Sequence, residues 1–421
     1  MSGTPSRVSH PAGRFKFFAA CVFLATAAVS CAQMATGTKY YGNILPGTLP
    51  PFVSFGVYFN QVTPENSGKW GTVESTRNVM NWSQMDSIYN FAKSRGYPLK
   101  QHTFVWGKQE PGWMTALSAT EAAAEVEEWI RLFAQRYPDI EYCDVVNEPF
   151  HAPPSFKNAI GGDGATGWDW VIWAFTKARQ YLPNAKLLIN EYSVLEGGVT
   201  VQEYANLINL LKARGLIDGA GLQCHLTSRG LSPTTAKSRL DLLTSLTGVP
   251  LNISEYGIDS ANDSTQLSIY QQLIPVFMEH PNVIGVTGWG YLQGYTWKAN
   301  SWILYANETT ERPALTWLRG YLGLGAGTGV NAPSSLAGSS ASTTQINLTW
   351  ADNSSNESSF EVERSTGNSA FISIAILGAN VRAYSDTGLT AATTYSYRVR
   401  ACNTTDCSSY SNTATVKTAR R

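Results

Sequence analysis

The chain has 421 residues, 43% of them hydrophobic and 15% charged, with 31 basic side chains balanced by 31 acidic ones. A formal net charge of zero and the lack of any lysine- or arginine-rich run leave no electrostatic ground for a nucleic-acid or anionic-membrane partner. Length alone points to two or three folded units, and 13 Trp with 20 Tyr supply apolar faces suited to core packing and to stacking on sugar rings.

Residues 1–32 read as a signal peptide. Arg7, Arg14 and Lys16 precede the apolar run FFAACVFLATAAV, which is too short to span a bilayer, and small residues follow at Ser30, Cys31 and Ala32. A secreted, extracellular protein is the expectation. Cys31 leaves a lipid anchor open, although Ala28 stands where a lipoprotein box usually has Leu. No later segment approaches the roughly 18 continuous apolar residues of a spanning helix, so a monomer without a membrane span is expected.

Between residues 37 and 324 short β-rich runs alternate with amphipathic helical stretches. YYGNIL, GVYFNQVT, LKQHTFVW, EYCDVVN, KLLINEY, GAGLQCHL, PLNISEY and NVIGVTGWG are the candidate strands. The first two are joined by a short, Pro-rich connection, LPGTLPP, with no room for a proper helix. From Trp82 to Arg95, Met85, Ile88 and Ala92 share one helical face, and Gly96 stops the helix. Ser118 with Glu121 forms a capping box for a helix running towards Arg136. WDWVIWAFTKARQYL, VQEYANLINLLKARG and STQLSIYQQLIPVFMEH predict three further helices. This alternation predicts an α/β fold, a (β/α)8 TIM barrel.

GLGAGTGVNAPSS opens a Gly/Ser/Pro linker over residues 325–332. From 333 to 418 the chain alternates in period two through INLTW, SFEVERS, FISIAIL, RAYSDT, TYSYRVRAC and NTATVKT, which predicts a small all-β immunoglobulin-like sandwich. Trp350 and the strand TTYSYRVRAC resemble a fibronectin type III domain, which implies a spacer or weak binding module. Cys143 and Cys224 fall in apolar strand-like runs as buried free thiols, while Cys402 and Cys407 are close enough to bridge a hairpin loop.

Chemistry in such a barrel gathers at the C-terminal strand ends. Those ends carry Glu65 and Asn66, His102 with Trp106, Asn147 and Glu148, Asn190 and Glu191, Gln223 and His225, Glu255, and Trp289. Carboxylates from the fourth and seventh strands suit glycoside hydrolysis, where one group protonates the leaving oxygen and the other attacks or activates water. No His-x-x-x-His spacing or Cys/His cluster supports a metal. There is no G-x-S-x-G turn for a nucleophilic serine, and no phosphate-binding glycine loop. No cofactor is expected, and EDTA should leave turnover unchanged.

FNQVTPENSGKW, HTFVWGKQEPGW, DVVNEP, GLQCHL, NISEY and GWG, in that order, resemble the motifs of glycoside hydrolase family 10 from about residue 39 to 322. The resemblance implies a retaining endo-β-1,4-xylanase acting on xylan. It implies that Glu148 is the acid/base and Glu255 the nucleophile, a pair whose proton affinities must be pushed apart. It gives Asn147 the sugar 2-hydroxyl, and Gln223 and His225 the support of Glu255. Lys69, His102 and Trp106 would line the subsite of the attacked ring, and Glu65, Asn66 and Gln109 the neighbouring one. Trp289 and Trp297 would form an aromatic ceiling.

The chain departs from the pattern in two places. Gly257 stands where many members have the Asp that supports the histidine matched by His225, with Asp259 nearby as a substitute, and Gly107 replaces a His after Trp106. His151 and His280 read as surface residues without a role in the site. Another β-1,4-glycanase activity (cellulase or aryl-cellobiosidase) is the runner-up, followed by a non-catalytic polysaccharide-binding protein.

Overall fold

The structure is a computed structural model that describes residues 39–47, 54–227, 230–324, 330, 332–354, 357–367, 369–403, 407–408 and 410–420. The signal peptide with Cys31, much of the Pro-rich first connection and most of the linker lie outside the described residues. Strands β1 (Tyr40–Leu45), β2 (Val62–Pro64), β3 (Lys100–Val105), β4 (Tyr142–Asn147), β5 (Lys186–Glu191), β6 (Gly219–Thr227), β7 (Leu251–Asp259) and β8 (Val283–Gly288) form one sheet in the order β2-β1-β8-β7-β6-β5-β4-β3. All these pairings are parallel. A bridge from Val62 to Leu99 and the Val62 N–H bond to the Pro98 carbonyl (3.0 Å) link β2 to β3 and close the barrel. The strands are buried on both faces, which is why they read as near-continuous apolar runs.

The helices follow from local chemistry. Helix α3 (Ser83–Ser94) buries Met85, Ile88 and Ala92. It ends with Gly96 at φ +67°, where the Gly96 N–H bonds Lys93 O and the Tyr97 N–H bonds Ala92 O, a Schellman closure. Helix α4 (Ala119–Arg136) opens on the Ser118–Glu121 capping box, and α6 (Val201–Lys212) on a second one, Thr200–Glu203. Helices α5 (Asp169–Tyr181) and α8 (Asp263–Glu279) fall where their apolar periodicity puts them.

Several expectations needed correction. FGVY is not strand but a single-turn helix, α1 (Phe55–Tyr58), whose i,i+3 pair Phe55 and Tyr58 turns into the core, and β2 is confined to Val62–Pro64. A four-residue apolar run is too short for periodicity to separate a helix from a buried strand. Another one-turn helix, α2 (Trp70–Val73), was not foreseen. Helices α7 (Pro233–Thr247) and α9 (Pro313–Tyr321) were also missed, although each begins with Pro at its first position. In α7 the buried stripe is sparse, Ala236, Leu240, Leu243 and Thr247. β7 continues past Glu255 to Asp259.

The C-terminal region is a sandwich of two antiparallel sheets. One orders β13 (Ala383–Thr387), β10 (Gln345–Ala351) and β9 (Ser334–Ser340), and the other orders β12 (Ile372–Gly378), β11 (Ser359–Thr366), β14 (Thr394–Cys402) and β15 (Ala414–Lys417). Trp350, Phe360, Val362, Tyr397 and Val399 fill its own core, separate from the barrel's. Cys402 and Cys407 are joined by a disulfide, and Cys143 and Cys224 are buried and free.

Candidate active site

Glu148 follows β4 directly and is held by the backbone before its side chain is considered. Its φ of +53° lies in the left-handed region, which costs a non-glycine residue of order 1 kcal/mol or more. Three backbone bonds fix that geometry: Glu148 N–H to Asn190 O (2.8 Å), and His151 and Ala152 N–H to Glu148 O (3.1 and 2.8 Å). The side chain, 7% exposed, accepts from Trp106 Nε1 (3.0 Å) and Gln223 Nε2 (3.3 Å), with Lys108 Nζ 3.5 Å away.

Glu255 projects from β7 and is 4% exposed. Asn190 Nδ2 donates to its Oε1 (2.7 Å) and His225 Nε2 to its Oε2 (2.9 Å). Burial pushes this carboxyl up, but the His225 hydrogen bond and the fields of His102, His225 and Lys100 outweigh it and bring it down to about 2. The group is therefore a carboxylate at neutral pH.

The two carboxyls belong to one polar network. Asn190 Nδ2 also donates to Asn147 Oδ1 (2.8 Å), which accepts from Gln223 Nε2 (3.3 Å), and Ser254 Oγ orients Asn190 from the far side (2.5 Å). Beneath it, Asp144 Oδ2 meets both His102 Nδ1 (3.0 Å) and Lys100 Nζ (3.1 Å), with Lys100 and Asp144 wholly inaccessible to solvent. His102 is thus a buried, oriented ring whose edge meets Trp289, 5.0 Å between centroids.

A second group extends from Trp106. Lys69 Nζ sits 4.8 Å over the Trp106 ring and donates to Asn66 Oδ1 (3.1 Å), which also accepts from Gln109 Nε2 (3.2 Å). Burial lowers the Lys69 ammonium, opposed by Glu255, Glu65 and Glu148. Burial raises Glu65, with Lys69 opposing and Glu255 adding to the rise. Trp289 and Trp297 flank His225, at 6.2 and 4.9 Å between ring centroids; Trp297 is 52% exposed, as a lid over open space would be. The residues singled out in the sequence therefore meet at one end of the barrel, around a cleft of about 350 Å³ whose lining includes Glu148, Gln223, His225, Trp289 and Trp297.

Other assignments change. His151 is a surface residue, as expected, but its side chain is not without partners. It stacks on Tyr192 (3.8 Å between centroids), and its Nδ1 meets Glu191 Oε1 at 2.8 Å. Glu191, fully buried, also accepts the Phe150 and Tyr192 N–H groups (2.9 and 2.8 Å) and so ties together the segments leaving β4 and β5. His280 is buried beside Asp241 (3.3 Å), and burial lowers its basicity. Asp259 does not substitute behind His225; its Oδ1 accepts from Asn300 N–H (3.1 Å). Asn190, Glu191, Lys100 and Asp144 were missed as members of the site, though Asn190 and Glu191 stood out as polar ends of an apolar strand. Among the described residues no cluster of three or more His, Cys, Asp or Glu is arranged to hold a metal ion, and no helix is long and apolar enough to cross a membrane.

Comparison with known proteins agrees with this fold. Residues 37–321 match the profile of Glycosyl hydrolase family 10, and residues 331–417 that of the fibronectin type III domain. Endo-1,4-beta-xylanase B of Cellvibrio japonicus is 42% identical over 283 residues, covering 66% of this chain but only 45% of that protein. Endo-1,4-beta-xylanase C of Phanerodontia chrysosporium is 32% identical over 289 residues, 66% of this chain and 72% of the relative. Xylanase 10B from Thermotoga petrophila, solved with xylobiose, superposes with a TM-score of 0.59 at 24% identity over 68% of this chain and 94% of its own, a likeness of fold.

Proposed function

The chain belongs to glycosyl hydrolase family 10, and on that premise we propose that it is an endo-1,4-β-xylanase that cleaves internal β-1,4-xylosidic bonds of xylan with retention of configuration. In the first step the Glu255 carboxylate attacks the anomeric carbon while Glu148 protonates the departing glycosidic oxygen. The C–O bond breaks and a glycosyl ester forms on Glu255. In the second step Glu148 takes a proton from water, the water oxygen bonds to the anomeric carbon, and the Glu255 carboxylate leaves.

The observation that carries this reading is the setting of the Glu255 carboxyl and its hydrogen-bonded link to Glu148. Glu255 is buried yet held near pKa 2 by His225 and its neighbours, as a nucleophile requires, and the Gln223–Asn147–Asn190 network connects it to Glu148. Asn147 spends its oxygen on Asn190 and Gln223, which leaves its amide N–H groups to donate to the sugar 2-hydroxyl. Lys69, His102 and Trp106 line the place of the attacked ring, Glu65, Asn66 and Gln109 supply donors and acceptors for the neighbouring one, and Trp289 and Trp297 cover the two.

Reducing-sugar release from xylan and from carboxymethylcellulose tests the substrate. Release from xylan that Glu255→Gln abolishes and Glu148→Gln slows at least about a hundredfold is expected, whereas a rate on carboxymethylcellulose equal to that on xylan would move the assignment to a broader β-1,4-glycanase. NMR of the first-formed product should show the β-anomer, and a crystal structure should place the carboxyls about 5–5.5 Å apart. Export is inferred from the basic and apolar pattern of residues 1–32 and is tested by N-terminal sequencing of the protein recovered from the medium.

A further inference from the structure

We propose that Gly257 opens a side chamber of the cleft, beside His225, that takes a neutral sugar branch carried by the substrate chain. The inference rests on the glycanase reading above and adds a site to it. In the β6–β7 register Gln223 lies opposite Glu255 and His225 opposite Gly257, so Gly257 is the next position after the nucleophile on the same face of the strand. A Cβ built there would meet only the Cβ of Ser301, at 3.8 Å, and the residue is not among the glycines with positive φ. Neither packing nor backbone conformation requires glycine at 257. Gly107 is the contrast, since a Cβ there would fall 2.3 Å from the Pro153 carbonyl oxygen. A Cβ would thus fit in front of Gly257 in ordinary contact with Ser301, and the residue lines the cleft.

His225 also lines that cleft, with one ring nitrogen outside its bond to Glu255. Because ionised Glu255 only accepts, the 2.9 Å bond fixes a proton on His225 Nε2. Nδ1 then carries a lone pair on the neutral ring or an N–H on the charged one, and none of the described residues hydrogen-bonds to it. The remaining lining mixes signs: Lys108 and Lys298 offer donors, and Glu148, Glu196 and Asp259 offer acceptors. An anionic branch would face three carboxyl groups, and a cationic one would face two lysines. Sugar hydroxyls, each donor and acceptor without charge, match all of them, and the exposed Trp297 beside His225 supplies an apolar face for the ring.

The test measures kcat/KM for three substrates: a linear β-1,4-xylo-oligosaccharide, one with a single pentosyl branch on an internal ring, and one with a uronyl branch. Wild type is compared with Gly257→Val and Gly257→Asp. The pentosyl-to-linear ratio should fall at least about tenfold in both variants, since either side chain fills the chamber. An unchanged ratio overturns the proposal. So does a wild-type preference for the uronyl branch that only Gly257→Asp removes, because the occupant would then be an anion. If the variants fail to fold, the limit products of wild type decide. Branches on rings flanking the cut are expected, and branches confined to more distant rings overturn the chamber. A wild type that does not cut the linear chain would sink the glycanase reading and the chamber with it, a result distinct from an unchanged ratio.

Discussion

His225 and Glu255 show how one hydrogen bond sets the working range of a site. Burial favours protonation of Glu255, and the His225 bond is the largest effect opposing it, so His225→Ala should raise the Glu255 pKa and move the acidic limb of the kcat/KM profile to higher pH. An unshifted limb would mean that Lys100 and His102 suffice. The same lowering has a sign for stability. Glu255 falls from 4.5 to about 2 on folding, so its contribution, on the order of 3 kcal/mol, is present above pH 4.5. It is lost as pH falls towards 2, which acid-unfolding midpoints of wild type and Glu255→Gln would reveal. For Glu148 the discriminating measurement is leaving-group dependence. Glu148→Gln should slow xylan hydrolysis by about 10²–10⁴-fold, the usual worth of proton donation; with an aryl leaving group that needs no proton it should spare the first step, read as a burst of aryl release, while turnover stays slow because the second step still lacks its base.

At the scale of elements, the turn after β4 is fixed by its neighbours rather than by its own sequence. Glu191, at the end of β5, accepts two backbone N–H groups and His151 while fully buried. Glu191→Gln turns one acceptor oxygen into an amine facing donors, and should cost about 1–3 kcal/mol, read as a lower Tm with weakened activity. Gly107 is needed because the same turn packs its Ala152 and Pro153 carbonyls against it. Gly107→Ala should therefore destabilise the barrel, where Gly257→Ala should not, and melting curves of the two variants make the comparison. The helices depend on shorter-range chemistry. The capping boxes at Ser118 and Thr200 and the Schellman closure at Gly96 were readable, or could have been read, from residues a few positions apart, whereas α1 and α7 were missed because a short or sparse apolar pattern fits more than one period.

In the whole molecule the barrel and the sandwich each bury a core of their own. A chain ending at residue 324 should fold and retain its rate on soluble xylo-oligosaccharides, and calorimetry of the full chain should resolve two transitions; loss of activity on truncation would give the sandwich a part in the site. The sequence by itself determined the alternation of strands and helices, the change of architecture near residue 325 and the polar residues that end the apolar strands, because each is a local pattern within a few residues of chain. Tertiary structure alone decided that Asn190 would bridge Asn147 and Glu255, that Lys100 and Asp144 would neutralise each other beneath His102, and that His151 would stack on Tyr192. Those partners lie on different strands or on the turns that follow them, and only closure of the barrel sets the distances and the low dielectric that give their contacts strength.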